Sequence, residues 1–90
     1  MPKIRIPTPL RSFTGNQDEV SVPGATVGEV LRNLDQQHAG IGARLLDDKG
    51  GIKRYVNVFL NDEDVRYLKV MDTPVAETDR ISIIPAIAGG

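Results

Sequence analysis

The most chemically distinctive part of this 90-residue chain is its final segment, residues 85–90. Five residues follow Pro85, and they reach about 16–18 Å at full extension. All five have small or apolar side chains, and glycine, which lacks a Cβ, fits channels too narrow for other residues. This pattern favours delivery of the Gly90 carboxylate into the active site of another protein. We expect that protein to recognise the residues before it: Pro85, Ala86, Ile87, Ala88 and Gly89.

The rest of the sequence offers little catalytic chemistry. It has no cysteine, which excludes disulfides, thiolate metal sites and cysteine nucleophiles. Its one histidine, His38, lies on the apolar side of a predicted helix, where partial burial is the commoner role. The acids Asp62, Glu63 and Asp64 are adjacent, whereas calcium loops place ligands at alternate positions, so a solvated turn is the preferred interpretation. We expect a protein that is not an enzyme and that binds no metal or cofactor of its own.

Length and charge are typical of one small domain. Eleven basic and twelve acidic residues give a formal net charge of −1, so no basic surface indicates nucleic acid. No apolar run approaches the ~20 residues of a membrane span, and the N-terminus has no signal-peptide pattern. We expect a cytoplasmic protein with no nucleic-acid or membrane partner, consisting of a folded domain (1–86) and a flexible diglycine tail (87–90).

The first half of the chain predicts a hairpin followed by a helix. Apolar and polar residues alternate over Lys3–Thr8 and Glu19–Pro23, as in half-buried strands, and Leu10–Asp18 is expected to be a loop. A capping box at Thr26 and Glu29 predicts a helix over Val27–His38. Gly28, inside its first turn, suggests a close approach of the helix to a strand. One or two further helical turns are expected between Ile41 and Leu46.

The second half predicts the remaining strands. They are Tyr55–Leu60, a short return strand at Val65–Leu68, and Ile81–Pro85. The element order favours an α+β fold of the β-grasp (ubiquitin-like) type: a mixed sheet of four to five strands with one main helix on one face. A ferredoxin-like sandwich would need a second full-length helix, for which Ile41–Asp47 is too short.

An apolar docking face is expected on the side of the sheet away from the helix. If Val58 and Ile83 point to the helix, Phe59 and Ile84 point outward near the exit of the tail, and exposed apolar patches often bind partners. A second layer or an oligomer covering this face is the alternative. The predicted partner-binding face consists of Phe59, Ile84, Leu10, Arg11 and Phe13.

The sequence resembles the ubiquitin-like sulfur carriers of the MoaD/ThiS superfamily from end to end. The resemblance rests on four segments: Ile6-Pro7-Thr8 with Leu10-Arg11 and Thr14-Gly15, the Thr26–Leu34 helix, Tyr55-Val56-Asn57 leading to Asn61-Asp62-Glu63-Asp64-Val65-Arg66, and Ile84-Pro85-Ala86-Ile87-Ala88-Gly89-Gly90. The third segment and the ending look most like the carriers of the cysteine-synthesis branch, the CysO type.

The resemblance implies a cycle at Gly90. An E1-like adenylyltransferase of the MoeB/ThiF type uses ATP to adenylate the carboxylate, and a sulfur donor then converts it to a thiocarboxylate. In the cysteine branch, a PLP-dependent cysteine synthase accepts this sulfur, and a JAMM-type zinc protease releases cysteine and regenerates the carrier. ATP, PLP and zinc thus belong to the partner enzymes.

Other functions within the same fold remain open from the sequence. One is a small subunit of molybdopterin synthase, whose partner is the large subunit of that enzyme, and another is a carrier for a different thiolation pathway. A third is a ubiquitin-like modifier attached to lysines, or a non-covalent adaptor.

Overall fold

A computed structural model describes residues 1–85 of the chain. The five strands and two helices are β1 (Lys3–Arg5), β2 (Glu19–Ser21), α1 (Val27–Gln37), α2 (Gly42–Leu45), β3 (Val56–Leu60), β4 (Glu63–Asp64) and β5 (Arg80–Pro85). Three 3₁₀ segments complete the described part: Thr8–Thr14, Val65–Tyr67 and Val70–Asp72.

The five strands form one mixed sheet in the order β2-β1-β5-β3-β4. The central pair, β1 and β5, is parallel, and every other neighbouring pair is antiparallel. Helix α1 lies between the β1–β2 hairpin and β3 in the chain, so it crosses over one face of the sheet. The predicted β-grasp fold is confirmed.

The core lies between α1 and one face of the sheet. The helix buries an apolar stripe spaced by three or four residues, as an amphipathic helix requires: Val27, Val30, Leu31 and Leu34. The strands contribute their inward residues: Ile4, Val20, Val56, Val58, Ile81 and Ile83. No helix among residues 1–85 has the length and apolar character to span a bilayer.

Helix α1 begins with the predicted cap. The Thr26 hydroxyl accepts a hydrogen bond from the Glu29 amide at 3.2 Å. The Glu29 carboxylate accepts from the Ala25 amide at 3.1 Å, one residue before the reciprocal position of an ideal capping box. The helix ends at Gln37, and His38 is its C-terminal cap.

Three local predictions are wrong. The 3₁₀ helix Thr8–Thr14 replaces the end of the strand expected over Lys3–Thr8 and the first part of the loop expected over Leu10–Asp18. The return strand is Glu63–Asp64, and Val65 onward forms a 3₁₀ turn, because buried Val65 directs the chain into the core. The close approach at Gly28 is to a 3₁₀ segment rather than a strand, since a Cβ there would lie 3.1 Å from the Met71 carbonyl oxygen.

Candidate functional site

Strand β5 carries the chain to the point where the predicted tail begins. Its residues alternate between the two faces of the sheet: Ile81 and Ile83 are buried under α1, whereas Ile84 is 51% exposed on the outer face. Ile84 lies opposite Asn57 on β3, and Pro85 lies opposite Val56. The predicted reactive and recognition positions at Ala86–Gly90 lie outside the described residues.

A groove of 460 Å³ opens beside this end of β5, and we call it the tail-exit groove. Its lining consists of Arg5, Ile6, Pro7, Thr8, Arg11, Ser82, Ile83, Ile84 and Pro85. It therefore combines two arginines and two hydroxyls with an apolar rim, and none of these residues is acidic. The Arg11 side chain is held in place because its Nε donates a hydrogen bond to the Ile6 carbonyl at 3.0 Å.

Phe59 and Ile84 are neighbours on the outer face, as predicted. Phe59 pairs with Ser82 across β3 and β5, and with Ile84 it lines a shallow recess of 250 Å³. Phe59 is half-buried, so Ile84 offers the more accessible apolar surface. Of the predicted docking residues, Ile84 thus shares this recess with Phe59 and the tail-exit groove with Arg11.

Leu10 and Phe13 do not belong to this surface, which corrects the prediction. Leu10 is 8% exposed and part of the core, while Phe13 packs beside Gly40 and lies 5.8 Å from the Arg44 guanidinium carbon. The cause is the 3₁₀ helix, in which residues three apart lie on the same side. Leu10 and Phe13 therefore turn together toward the core and the segment that follows α1.

The sequence interpretation missed Arg5, Thr8 and Ser82 as groove residues. The available signal was the alternation of β1, which turns Arg5 to the same face as Ser82, its register partner on β5. Without the parallel pairing of β1 and β5, sequence alone does not show that Arg5 lies beside Ile84.

Two carboxylates outside this surface, Asp35 and Asp47, each hold a loop. Asp35 Oδ1 accepts from the Gly40 amide at 3.2 Å and from the Gly42 amide at 2.8 Å. Asp47 Oδ1 accepts from the Lys49 and Gly51 amides, both at 2.9 Å. Within residues 1–85 no group of three histidine, cysteine or acidic residues is arranged to hold a metal ion. These acids thus have structural partners rather than catalytic ones.

Comparison with known proteins connects this geometry to a family. The sequence matches the model of the ThiS family over residues 4–90. It is 44% identical over 89 residues to the sulfur carrier protein CysO of Mycobacterium tuberculosis, a match that spans 97% of this chain and 96% of that protein. It is also 42% identical over 66 residues to small archaeal modifier protein 3 of Haloferax volcanii, covering 73% of this chain and 71% of the other.

Solved structures agree with this assignment. The fold superimposes on CysO of Amycolatopsis orientalis, solved in a complex with BexX, with a TM-score of 0.93 and 41% identity over the full length of both chains. It superimposes on M. tuberculosis CysO with a TM-score of 0.91 and 40% identity, covering 97% of this chain and 100% of that one. The M. tuberculosis relative is a sulfur carrier protein, which agrees with the expectation that this chain is a carrier rather than a catalyst. The chain belongs to the ThiS family of ubiquitin-like β-grasp proteins.

Proposed function

We propose that this protein is a sulfur carrier in which the Gly90 carboxylate is adenylated, converted to a thiocarboxylate and used as a sulfur donor for cysteine biosynthesis. The observation that carries the proposal is the family match, which extends through Gly89-Gly90 and includes 44% identity to a CysO. The similarity thus includes the position that we propose to react as well as the folded domain.

The described site supports this role by its composition. Adenylation needs an active site that binds ATP and stabilises the reacting phosphate. In the described residues, the carboxylates of Asp35 and Asp47 are instead used to hold loops. What it does offer is a docking surface where β5 ends: the exposed Ile84, its neighbour Phe59 and the arginines of the tail-exit groove. Recognition by a partner enzyme accounts for these features.

Adenylation makes the Gly90 carboxylate reactive because AMP is a much better leaving group than hydroxide. Sulfur from a donor then replaces AMP and leaves a thiocarboxylate. In the proposed pathway an E1-like MoeB/ThiF-type enzyme performs the first step, a PLP-dependent cysteine synthase accepts the sulfur, and a JAMM-type zinc protease regenerates the carrier. ATP, PLP and zinc belong to these enzymes, and the carrier acts in the cytoplasm, where ATP is available.

The activation step can be tested directly. The purified chain is incubated with ATP and a ThiF-type activating enzyme, and pyrophosphate release is measured. We expect release that depends on the carrier and disappears when Gly90 is deleted. Release that is unchanged by the deletion, or none with any enzyme of this type, contradicts the proposal.

The choice of pathway needs a separate experiment. An affinity-tagged carrier is used to isolate binding proteins from its own cells, and the bound proteins are identified by mass spectrometry. Recovery of a PLP-dependent synthase supports cysteine biosynthesis, whereas recovery of a molybdopterin synthase large subunit assigns the carrier to molybdopterin. Deletion of Gly89-Gly90 is the control for binding that depends on the tail.

Similarity to small archaeal modifier protein 3 favours one second candidate, a modifier attached to lysines through Gly90. Conjugation leaves a branched Gly-Gly remnant on lysines of target proteins only after cleavage near the diglycine. A carrier variant with Ala88→Arg allows trypsin to produce this remnant, because cleavage after residue 88 leaves Gly89-Gly90 on the lysine. Remnants in cells that express this variant support the modifier function, and their absence alongside thiocarboxylate formation supports the carrier function alone.

A further inference from the structure

Arg66 occupies an unusual position at the outer edge of the sheet. It lies in the segment Asn61–Arg66 that the resemblance singled out, but neither the tail nor the docking face accounts for it. Its terminal nitrogens reach four acceptors before and at the start of β3: Lys53 O (3.0 Å), Arg54 O (3.2 Å), Val56 O (2.7 Å) and Asn57 Oδ1 (2.7 Å). Three of the four are backbone carbonyls of one short turn.

The Val56 carbonyl needs a donor because β3 has only a partial neighbour on this side, whereas Lys53 O also accepts from the Val56 amide at 3.0 Å. Strand β4 pairs with β3 at Phe59 and Leu60 and with no earlier residue of β3. The first half of β3 is thus an open edge, where backbone groups lack strand partners. All three carbonyls lie within hydrogen-bond distance of Arg66 Nη2, and Nη1 donates to Asn57 Oδ1, so one planar guanidinium serves the converging acceptors.

The local sequence fixes Arg66 in this position. Its own amide donates to Asp64 Oδ1 at 2.9 Å, which caps the turn Val65–Tyr67. The preceding Val65 is fully buried in the core. The backbone that leads into the arginine is therefore anchored by Asp64 and Val65, so the side chain can extend along the sheet edge at a limited cost in entropy.

Arg66 contacts the part of β3 that pairs with the end of β5, where the tail leaves the sheet. Val56 pairs with Pro85, and Asn57, whose side chain accepts from Arg66, pairs with Ile84. Pro85 has no amide hydrogen to donate to β3, so backbone hydrogen bonds hold this end of β5 less firmly than an ordinary strand end. Hydrogen bonds from Arg66 to β3 therefore have a larger effect on the position of this end of β5.

We propose that Arg66 is a positioning residue for the carrier reaction: it replaces a missing edge strand at the start of β3 and so fixes the direction in which β5 presents the tail relative to Ile84. This inference rests on the proposed carrier function. It assigns to Arg66 a geometric role, distinct from attraction to a partner by charge.

Amide hydrogen exchange tests the geometric part without any partner enzyme. In Arg66→Ala, the amides of Asn57 and Ile84 should exchange about tenfold faster or more, because charge-assisted hydrogen bonds are lost. The exchange rates of the Ile4 and Val20 amides should be unchanged, because β1 and β2 do not pair with β3. Arg54→Ala is the matched control, since it removes an equal charge from the turn that Arg66 contacts and leaves the Arg54 carbonyl in place. Equal acceleration at all four amides, or none, overturns the proposal.

Activation kinetics test the functional part. With the activating enzyme, Arg66→Ala should lower kcat about tenfold, because a misdirected tail reaches the productive geometry less often, with a smaller change in KM. Arg66→Lys should resemble Arg66→Ala, since one ammonium group cannot span the four acceptors. Recovery of activity by Arg66→Lys, or a change in KM alone, indicates recognition by charge and overturns the positioning role. If wild-type protein is not activated at all, the carrier function fails, while the exchange result still decides the role of Arg66 in the fold.

Discussion

Ile84 is the residue whose environment departs most clearly from that of its neighbours. It follows Ile81 and Ile83 on the same strand, yet half of its surface is exposed while theirs is buried. Exposure of one apolar residue is common on protein surfaces. Its position beside the tail-exit groove and Phe59 is what connects it with partner binding.

Truncation of Ile84 should weaken partner binding with little effect on folding. Ile84→Ala removes exposed apolar atoms, so we expect KM for the activating enzyme to rise about tenfold, as at a moderate interface residue, while the free energy of unfolding changes by less than about 0.5 kcal/mol. Steady-state kinetics and urea unfolding measure the two effects.

The matched control for Ile84 is Tyr67→Ala. Tyr67 is 85% exposed in the 3₁₀ turn after β4, outside the lining of both recesses that contain Ile84. It should leave KM unchanged. An equal rise of KM in both variants contradicts the assignment of the docking face.

Gly42 illustrates a steric requirement that composition does not reveal. A Cβ at this position would lie 2.6 Å from Asp35 Cγ and 2.7 Å from its Oδ1, and that carboxylate is held by the amides of Gly40 and Gly42. We expect Gly42→Ala to lower the free energy of unfolding by about 1–3 kcal/mol through overpacking and a displaced Asp35.

The control for this prediction is Gly51→Ala, where the nearest atom to a new Cβ is Asp47 Oδ2 at 3.4 Å. Urea unfolding of both variants gives the comparison. Equal stability of the two variants would show that Asp35 moves away from Gly42 without cost.

At the scale of elements, residue periodicity predicted the parts of the fold that bury a regular apolar face. The three- and four-residue spacing of Val27 to Leu34 and the alternation of β3 and β5 located the helix and its sheet, and the structure confirms them. Periodicity failed at the 3₁₀ segments, which are too short to give a repeating pattern. It misplaced Leu10 and Phe13 for that reason, since two residues three apart are compatible with a loop.

The strand order also could not be derived from local pattern. The parallel contact of β1 with β5 joins the two ends of the chain, and it is this contact that forms the tail-exit groove. Similarly, the role of Arg66 depends on β4 being only two residues long, a property set by the packing of Val65.

The N-terminal cap of α1 gives a prediction at this scale. Thr26→Ala removes the hydroxyl that accepts from the Glu29 amide, and loss of such a cap costs about 1 kcal/mol, within a range of roughly 0.5–2. Chemical unfolding monitored by circular dichroism measures the loss. Thr78→Ala, in the exposed turn before β5, is the control and should change stability little. A loss as large in Thr78→Ala as in Thr26→Ala would argue against the cap.

At the scale of the whole molecule, the residues that stabilise the fold are different from the residue that is proposed to react. One continuous core joins α1, the sheet and α2, and Asp35 and Asp47 hold loops. In the proposed function, reaction occurs at Gly90, while the folded body supplies a docking face and a fixed exit direction. Truncation at the end of the chain should therefore affect function without affecting folding.

The most direct test of the central claim is the intact mass of the carrier after co-expression with its activating enzyme and a sulfur donor. We predict the mass increase that corresponds to replacement of one oxygen by sulfur, located on Gly90 by fragmentation. The variant that lacks Gly90 should fold with an unchanged thermal midpoint and show no increase. An unmodified mass with every cognate activating enzyme, or the same increase in the variant without Gly90, would contradict the proposal that Gly90 carries the sulfur.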